Sequence, residues 1–400
     1  MFRKAIFWIH LASGVLTGLV IFTMSITGVL LTYERQIKQW AAESHYVPAA
    51  QQAERLTLDE LVTVKAIEYP NLNANLMVLS NDPGAPVTFR AGRRGGVSLN
   101  PYTGQTMETG SPAMESFFGT MTSFHRWFSI EGENRAIARQ VTGVSNLAFL
   151  FLVLSGMYLW LPTLFNWVTL KARLVFRGNY PDSKARDFHW HHIFGIWSAI
   201  PLVAVIYTGS VFNYSWAGEL LYTVFGAQDT ETIAAAPANR ASVYTPGSEI
   251  LAQSVTSSLG SFNEVSGQRT QPGNLSIDSL VNKVITETDK DWQRLNITLP
   301  ESDDQHLQVA VDWGNGAQAH KRHTLSLDRS SGAILNIQTW DETPSRQKIR
   351  GFVRYLHTGE VWGFWGQTIA GLVSLFALFM VWTGFALSYR RLIQPLLIKR

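Results

Sequence analysis

Four stretches of this chain contain no Asp, Glu, Lys or Arg: Ala5 to Tyr33, Gln140 to Leu170, Phe188 to Gly218 and Val361 to Tyr389. Each runs to about 30 residues, and an α-helix crosses the hydrocarbon core of a bilayer in roughly 20. The pattern predicts four transmembrane helices, over residues 5–33, 137–162, 188–217 and 361–389. They leave two long segments, 34–124 and 219–350, a short loop over 163–187 and a tail over 390–400. Each long segment has a similar internal pattern. In the first, Leu56 to Tyr69 reads as a helix, with Thr57 as its cap and Glu60 three residues on. Strand-like runs follow at Ala74 to Ser80, Pro86 to Arg90 and Val97 to Asn100, ending in the turn Asn100-Pro101-Tyr102-Thr103-Gly104. In the second, Ser276 to Thr288 is the helix. The runs there are Arg294 to Leu299, Leu307 to Asp312 and His323 to Leu327, closed by the turn Asp328-Arg329-Ser330-Ser331-Gly332. Residues 226–273 are rich in Ala, Ser, Gly and Thr and read as a linker.

Charge sets the orientation. Arg3 and Lys4 precede the first helix, and Lys171, Arg173, Arg177, Lys184 and Arg186 lie between the second and third. Arg390, Arg391, Lys399 and Arg400 follow the fourth. Short basic flanks stay in the cytoplasm, so both termini are expected there and both long segments on the periplasmic side. These flanks account for the net charge of +3 and imply no nucleic-acid partner. Arg3 and Lys4 could open a cleaved signal peptide. The apolar run behind them exceeds the roughly 7–15 residues of a signal core, so it is expected to stay as an anchor. Hydrophobic residues make up 46% of the chain and charged residues only 16%, against about a quarter charged in soluble domains. With no cysteine, disulfides, cysteine-ligated iron–sulfur clusters and covalently attached c-type haem are excluded, while haem held by histidine is not.

The chain reads as an internal duplication. His10, Gly14 and Thr27-Gly28 in the first helix recur as His191, Gly195 and Thr208-Gly209 in the third. Gly143 and Ser155-Gly156 in the second recur as Gly371 and Thr383-Gly384 in the fourth, with Gln140 and Gln367 just ahead of them. His125 and His357 precede the second and fourth helices. Both halves therefore have the same orientation and are related by an axis along the membrane normal. Small residues at these positions let helices approach closely.

Ionisable residues within a membrane mark function. The duplication sets His10 opposite His191 near the inner face, and His125 opposite His357 near the outer face. Facing histidines in a helical bundle suit the axial positions of haem iron. The 23 residues from His10 to Tyr33 rise about 35 Å, too far for one haem, so two non-covalent b-type haems are expected. The run Phe188-His189-Trp190-His191-His192 leaves the third-helix ligand open, although only His191 repeats the His-x3-Gly spacing. Arg126, Arg350 and Arg354 suit haem propionates and equally suit interfacial charge. Trp127, Phe128, Trp362, Phe364 and Trp365 form a belt of the kind found at membrane surfaces. His45, His306, His320 and His323 fall in the long segments and read as surface residues. No segment can fold as a flavin or nicotinamide domain, so electrons must come from a quinol, a separate protein or a small reductant.

These features resemble the PepSY-associated transmembrane, or PiuB-like, family. The resemblance rests on Trp8-Ile9-His10 with Gly14, Phe124-His125-Arg126, His191 with Gly195, and Leu356-His357-Thr358-Gly359. It covers nearly the whole chain and is nearest to the FoxB-type ferrisiderophore reductases. One departure is His192, where the family usually has Arg. The resemblance implies an integral membrane four-helix bundle with two periplasmic α+β PepSY-like domains, placed in a bacterial inner membrane. It implies haem-dependent reduction of a ferric siderophore, an acceptor met on the periplasmic side. A haem-free ligand-binding or transport protein is the alternative, as is a dihaem reductase of copper, quinone or a protein.

Overall fold

The computed structural model describes residues 1–48, 54–92, 95–162, 166–226, 273–288, 290–301 and 303–398. Most of the run at 226–273 read as a linker, together with Lys399 and Arg400, lies outside the described residues.

Four long helices form the membrane part: α1 (Phe2–Leu31), α5 (Asn134–Trp160), α7 (Ser183–Asn213) and α11 (Gly363–Leu392). Among the described residues these are the helices long and apolar enough to cross a bilayer. α1 and α7 each pack on both α5 and α11, so α1 faces α7 across the bundle. Outward-pointing Leu16, Leu19 and Ile200 are more than two-thirds exposed, which fits side chains meant for lipid rather than water. At one end of the bundle Asp187, almost fully buried, accepts from Arg390 at 2.6 Å and from Arg186 at 3.0 Å. That pairing offsets the cost of burying the carboxylate and ties α7 to α11. At the other end, Gln367 donates to the carbonyl of Thr32 at 3.0 Å and exchanges hydrogen bonds with Gln36 on α2 (Glu34–Glu43).

At that second end the two long segments build one structure rather than two separate domains. The first contributes α3 (Leu58–Glu68), β1 (Leu76–Ser80), β2 (Val87–Ala91) and β3 (Gly95–Leu99). The second contributes α9 (Ile277–Glu287), β4 (Arg294–Thr298), β5 (His306–Asp312), β6 (Arg322–Asp328) and β7 (Ile334–Gln338). The strands form a single antiparallel sheet in the order β3-β2-β1-β4-β5-β6-β7. The seam is β1 against β4, with Met77 opposite Ile297, Val78 opposite Asn296 and Leu79 opposite Leu295. Val78 and Asn296 are each the third residue of their strand, so a twofold axis passes between equivalent residues. An unpaired first strand in each module would expose a row of backbone donors and acceptors, and pairing the two edges satisfies both. The core lies between the sheet and α3 with α9, where Leu61, Met77, Phe89, Val284, Ile297 and Leu327 are fully buried.

The two helices on the sheet start from the same place. Thr57 forms the expected capping box with Glu60. Beyond it, Asp59 accepts from the backbone N–H groups of Ile277 at 3.0 Å and Asp278 at 2.9 Å, while Asp278 accepts from Leu58 N–H at 3.2 Å. Each helix thus carries the other's cap. Both carboxylates sit where two positive helix ends meet, the favourable end of the dipole for an anion.

Further elements correct the boundaries read from the pattern. The limits at 124 and 350 fall inside α4 (Pro112–Trp127) and α10 (Ser345–Thr358). Both are short amphipathic helices with a single buried residue, Phe118 and Val353 respectively. β7 has no counterpart among the strand-like runs of the sequence, because only one of its five residues is even partly covered. The basic loop holds α6 (Trp167–Leu174), and α8 (Ser215–Val224) follows α7.

Candidate functional site

α4 lies against α1 and α5, and α10 against α7 and α11. Each carries its histidine into the bundle on its last turn. α4 stops at Phe128, in the left-handed region at φ 56°, and α10 stops at Gly359 at φ 76°. A bulky residue at positive φ costs of order 1–3 kcal/mol, so the packing around the turn after His125 must hold it.

The structure brings the four histidines together as two pairs. The rings of His10 and His191 have centroids 6.5 Å apart, and those of His125 and His357 6.2 Å apart. Two imidazoles binding one metal between them, each through a bond of about 2 Å, place their centroids about 6 Å apart. Both separations match that geometry. Among the described residues no group of three or more His, Asp or Glu forms a metal site. Two ligands alone do not complete a tetrahedral or octahedral shell. They do suit a metal that arrives with its own four equatorial nitrogens, as haem iron does.

Each ring is fixed through Nδ1 by the adjacent helix. His10 Nδ1 lies 2.8 Å from Ser155 Oγ, and the Nδ1 atoms of His125, His191 and His357 each lie 3.0 Å from Thr27, Thr383 and Thr208 Oγ1. All four hydroxyls donate to the carbonyl four residues back, at Phe151, Thr23, Phe379 and Ala204. They are therefore left to accept from the histidine. Three rings have a second acceptor, the carbonyls of Met24, Met380 and Val205 at 2.9–3.1 Å. A carbonyl can only accept, so Nδ1 carries the proton and Nε2 keeps the lone pair a metal needs.

The glycine after each hydroxyl residue completes the seat. A Cβ at Gly28, Gly156, Gly209 or Gly384 would lie 3.4–3.7 Å from Cε1 of His125, His10, His357 or His191. Any larger side chain would strike the ring. The repeated Ser/Thr-Gly pairs, read in the sequence as close-packing positions, are thus histidine seats. Their fourfold recurrence beside four histidines is the signal by which the orienting hydroxyls could have been found.

His10 and His191 line a cavity of about 930 Å³, within the usual range for small-molecule and cofactor sites. Gly14, Gly18 and Gly195 are among its lining residues, Gly18 leaving room for the Phe385 ring, and Arg3, Lys4, Lys184, Arg390 and Arg391 add positive charge to the lining. His192 shares the cavity, and its ring is also 6.5 Å from His191. Consecutive residues of one helix do not face each other, so the ring across from His191 is His10. His189 has both nitrogens engaged, with Tyr180 Oη at 2.8 Å and the Ala172 carbonyl at 3.0 Å.

Arg126 follows His125 and stacks 4.8 Å over Trp127, and Arg354 precedes His357 by one turn and lies 5.5 Å over Tyr355. Arg350 is exposed on α10. Trp362, Phe364 and Trp365 are 57–74% exposed at the start of α11, the placement of an aromatic belt. His306 and His323 lie on strands of the sheet and His320 on the short turn before β6, while His45 bonds back to Ala41 just past α2. None of the four joins a histidine pair.

No curated protein matches the chain. A family model, the PepSY-associated TM region, matches residues 7–391 and so takes in both histidine pairs, the sheet and all four long helices. The chain is a multi-pass membrane protein of the PepSY-associated transmembrane family.

Proposed function

We propose that this protein is a dihaem b-type oxidoreductase of the bacterial inner membrane, passing electrons outward to reduce a ferric siderophore and release its iron. The observation that supports it most is the pair of facing imidazole pairs, each at the separation of two axial ligands, with every Nδ1 committed elsewhere. The family is linked to membrane electron transfer.

Bound haem would supply the one-electron chemistry. His10 and His191 would hold the haem nearer the basic flanks, and His125 and His357 the one nearer the sheet. Arg126 and Arg354 stand beside the second pair, where a propionate would need a cation. His10 and Thr27, like His191 and Thr208, are 17 residues apart, a rise of about 25 Å. The two pairs thus divide the membrane between them. Electrons enter from a quinol or a cytoplasmic reductant. Each ferric ion accepts one electron, and the lower charge of Fe(II) weakens its hold on hard oxygen ligands. The acceptor is a periplasmic chelate because nearly all the extramembrane mass lies on that side.

The test is the visible spectrum of the purified chain with haem quantified. Two low-spin haems per chain are expected. His10→Ala or His191→Ala should remove one, and His125→Ala or His357→Ala the other. Retention of both haems in the His191→Ala protein would overturn the pairing. For the acceptor, dithionite-reduced protein is mixed anaerobically with a ferric siderophore and a ferrous trap. Reoxidation together with trapped Fe(II) supports the reductase. Reoxidation by quinone alone rejects the siderophore.

A further inference from the structure

The two modules of the sheet differ at one matched place. α3 and α9 are each 11 residues long, and Tyr69 and Thr288 follow them directly. Past the third strand, Gly104 and Gly332 turn the chain at φ 70° and 67°. Leu99 then bridges Thr106, and Leu327 pairs with Ile334. Tyr69 therefore corresponds to Thr288, and Thr106 to Ile334.

In the first module this place is filled. The Tyr69 ring packs on the core and its hydroxyl bonds Thr106 Oγ1. In the second module Thr288 is too small to reach, and a cavity of about 380 Å³ opens there. Its lining includes Glu287, Thr288, Trp313, His323, Ile334 and Ile337. Three of its polar groups are unspent, while the Thr288 hydroxyl donates to the Val284 carbonyl at 2.7 Å. Trp313 Nε1 is buried with no hydrogen-bond partner among the described residues. His323 meets Trp313 edge-on at 5.0 Å, and among the described residues neither its ring nitrogens nor the Glu287 carboxylate takes a hydrogen bond. A buried indole N–H left unpaired costs roughly 1–3 kcal/mol, and a small turn of the Trp313 ring toward an oxygen in the cavity would recover that.

We propose that this cavity binds a phenolic ring, a free phenol or catechol group, in the place that the Tyr69 side chain occupies in the first module. The ring packs between Ile334, Ile337 and the Trp313–His323 pair. Its oxygen accepts from Trp313 Nε1, and its hydroxyl donates to His323 or Glu287. This holds whether or not the histidine pairs carry haem.

The experiment uses the full chain in detergent and measures binding of catechol, phenol and toluene by equilibrium dialysis. Saturable binding of catechol and phenol, at least tenfold tighter than that of toluene, is expected. Thr288→Tyr rebuilds the first module's own filling and should abolish it. Trp313→Phe keeps an aromatic wall and removes the donor, and should weaken catechol about tenfold while leaving toluene unchanged. N-acetyltyrosinamide tests the source: weaker binding than catechol supports a free ring, and tighter binding overturns it in favour of a tyrosyl side chain. No saturable binding of either phenolic ring, or catechol binding unchanged in Thr288→Tyr, overturns the proposal.

Discussion

A ligating imidazole is only as well aimed as its other nitrogen. His125, His191 and His357 each have a hydroxyl and a carbonyl at Nδ1, whereas His10 has Ser155 Oγ alone. The four sites therefore differ in how much they lose when the hydroxyl goes. Ser155→Ala leaves the His10 N–H without a partner, and loss of such an orienting contact typically costs ten- to a hundredfold in metal affinity. Thr383→Val keeps the shape of the side chain and leaves His191 its Met380 carbonyl. The expected outcome of a haem titration is a loss of tenfold or more in Ser155→Ala and a clearly smaller one in Thr383→Val. The reverse order would show that the hydroxyls do not orient the rings.

At the scale of elements, α3 and α9 also cap each other across the twofold axis, so neither start is wholly a local matter. Asp59 serves two N–H groups of α9, and Asp278 one of α3. An N-cap carboxylate is worth about 1 kcal/mol. Asp59→Ala should therefore destabilise the sheet end by about that amount, and Asp278→Ala by less, since Asp278 holds a single N–H at 3.2 Å while Thr57 and Ser276 still cap their own helices in either variant. Hydrogen exchange checks it: the Ile277 and Asp278 amides should exchange several-fold faster in Asp59→Ala, with the amides of α5 unchanged. Equal protection in parent and variant would remove the reciprocal cap from the account. α4 and α10 are elements of another kind. With one buried residue each, they are helices made by docking on the bundle, since short helices are marginal alone.

Over the whole molecule, one pseudo-twofold relates the sheet seam, the two capped helices and the histidine pairs. Its bilayer orientation rests on the basic flanks. Arg3, Lys4, Arg390 and Arg391 cluster at the end away from the sheet, with Asp187 tying α7 to α11 beside them. The expected topology has both termini in the cytoplasm and the sheet in the periplasm. Reporter fusions after Arg400 and near Ala91 measure it. A periplasmic signal at the C-terminus would invert the molecule and move the acceptor to the cytoplasm. The symmetry is broken at the sheet. Arg35 of α2 pairs with buried Glu360 at 2.7 Å and also donates to the Asn315 carbonyl, and Tyr355 of α10 donates to Gly316 O at 3.4 Å. The second module is thereby anchored to the helix that carries His357.

What the sequence determined by itself was everything carried by local pattern. The charge-free runs marked the four long helices, because a bilayer demands about 20 apolar residues in a row whatever surrounds them. The Thr57–Glu60 box placed the start of α3, and alternation placed six of the seven strands, because cap and pleat act within a few residues. The matched spacings set His10 against His191 and His125 against His357, since a duplicated chain repeats its geometry. Only the tertiary structure decided the rest. That β1 would join β4, that Ser155 would serve His10 while Thr27 serves His125, and that Tyr69 fills what Thr288 leaves open are contacts between residues far apart in the chain. The same holds for α4 and α10, whose few apolar positions become a buried stripe only against the bundle. Such contacts leave no period in the sequence, because the free energy that selects them comes from surfaces that exist only once the chain has folded.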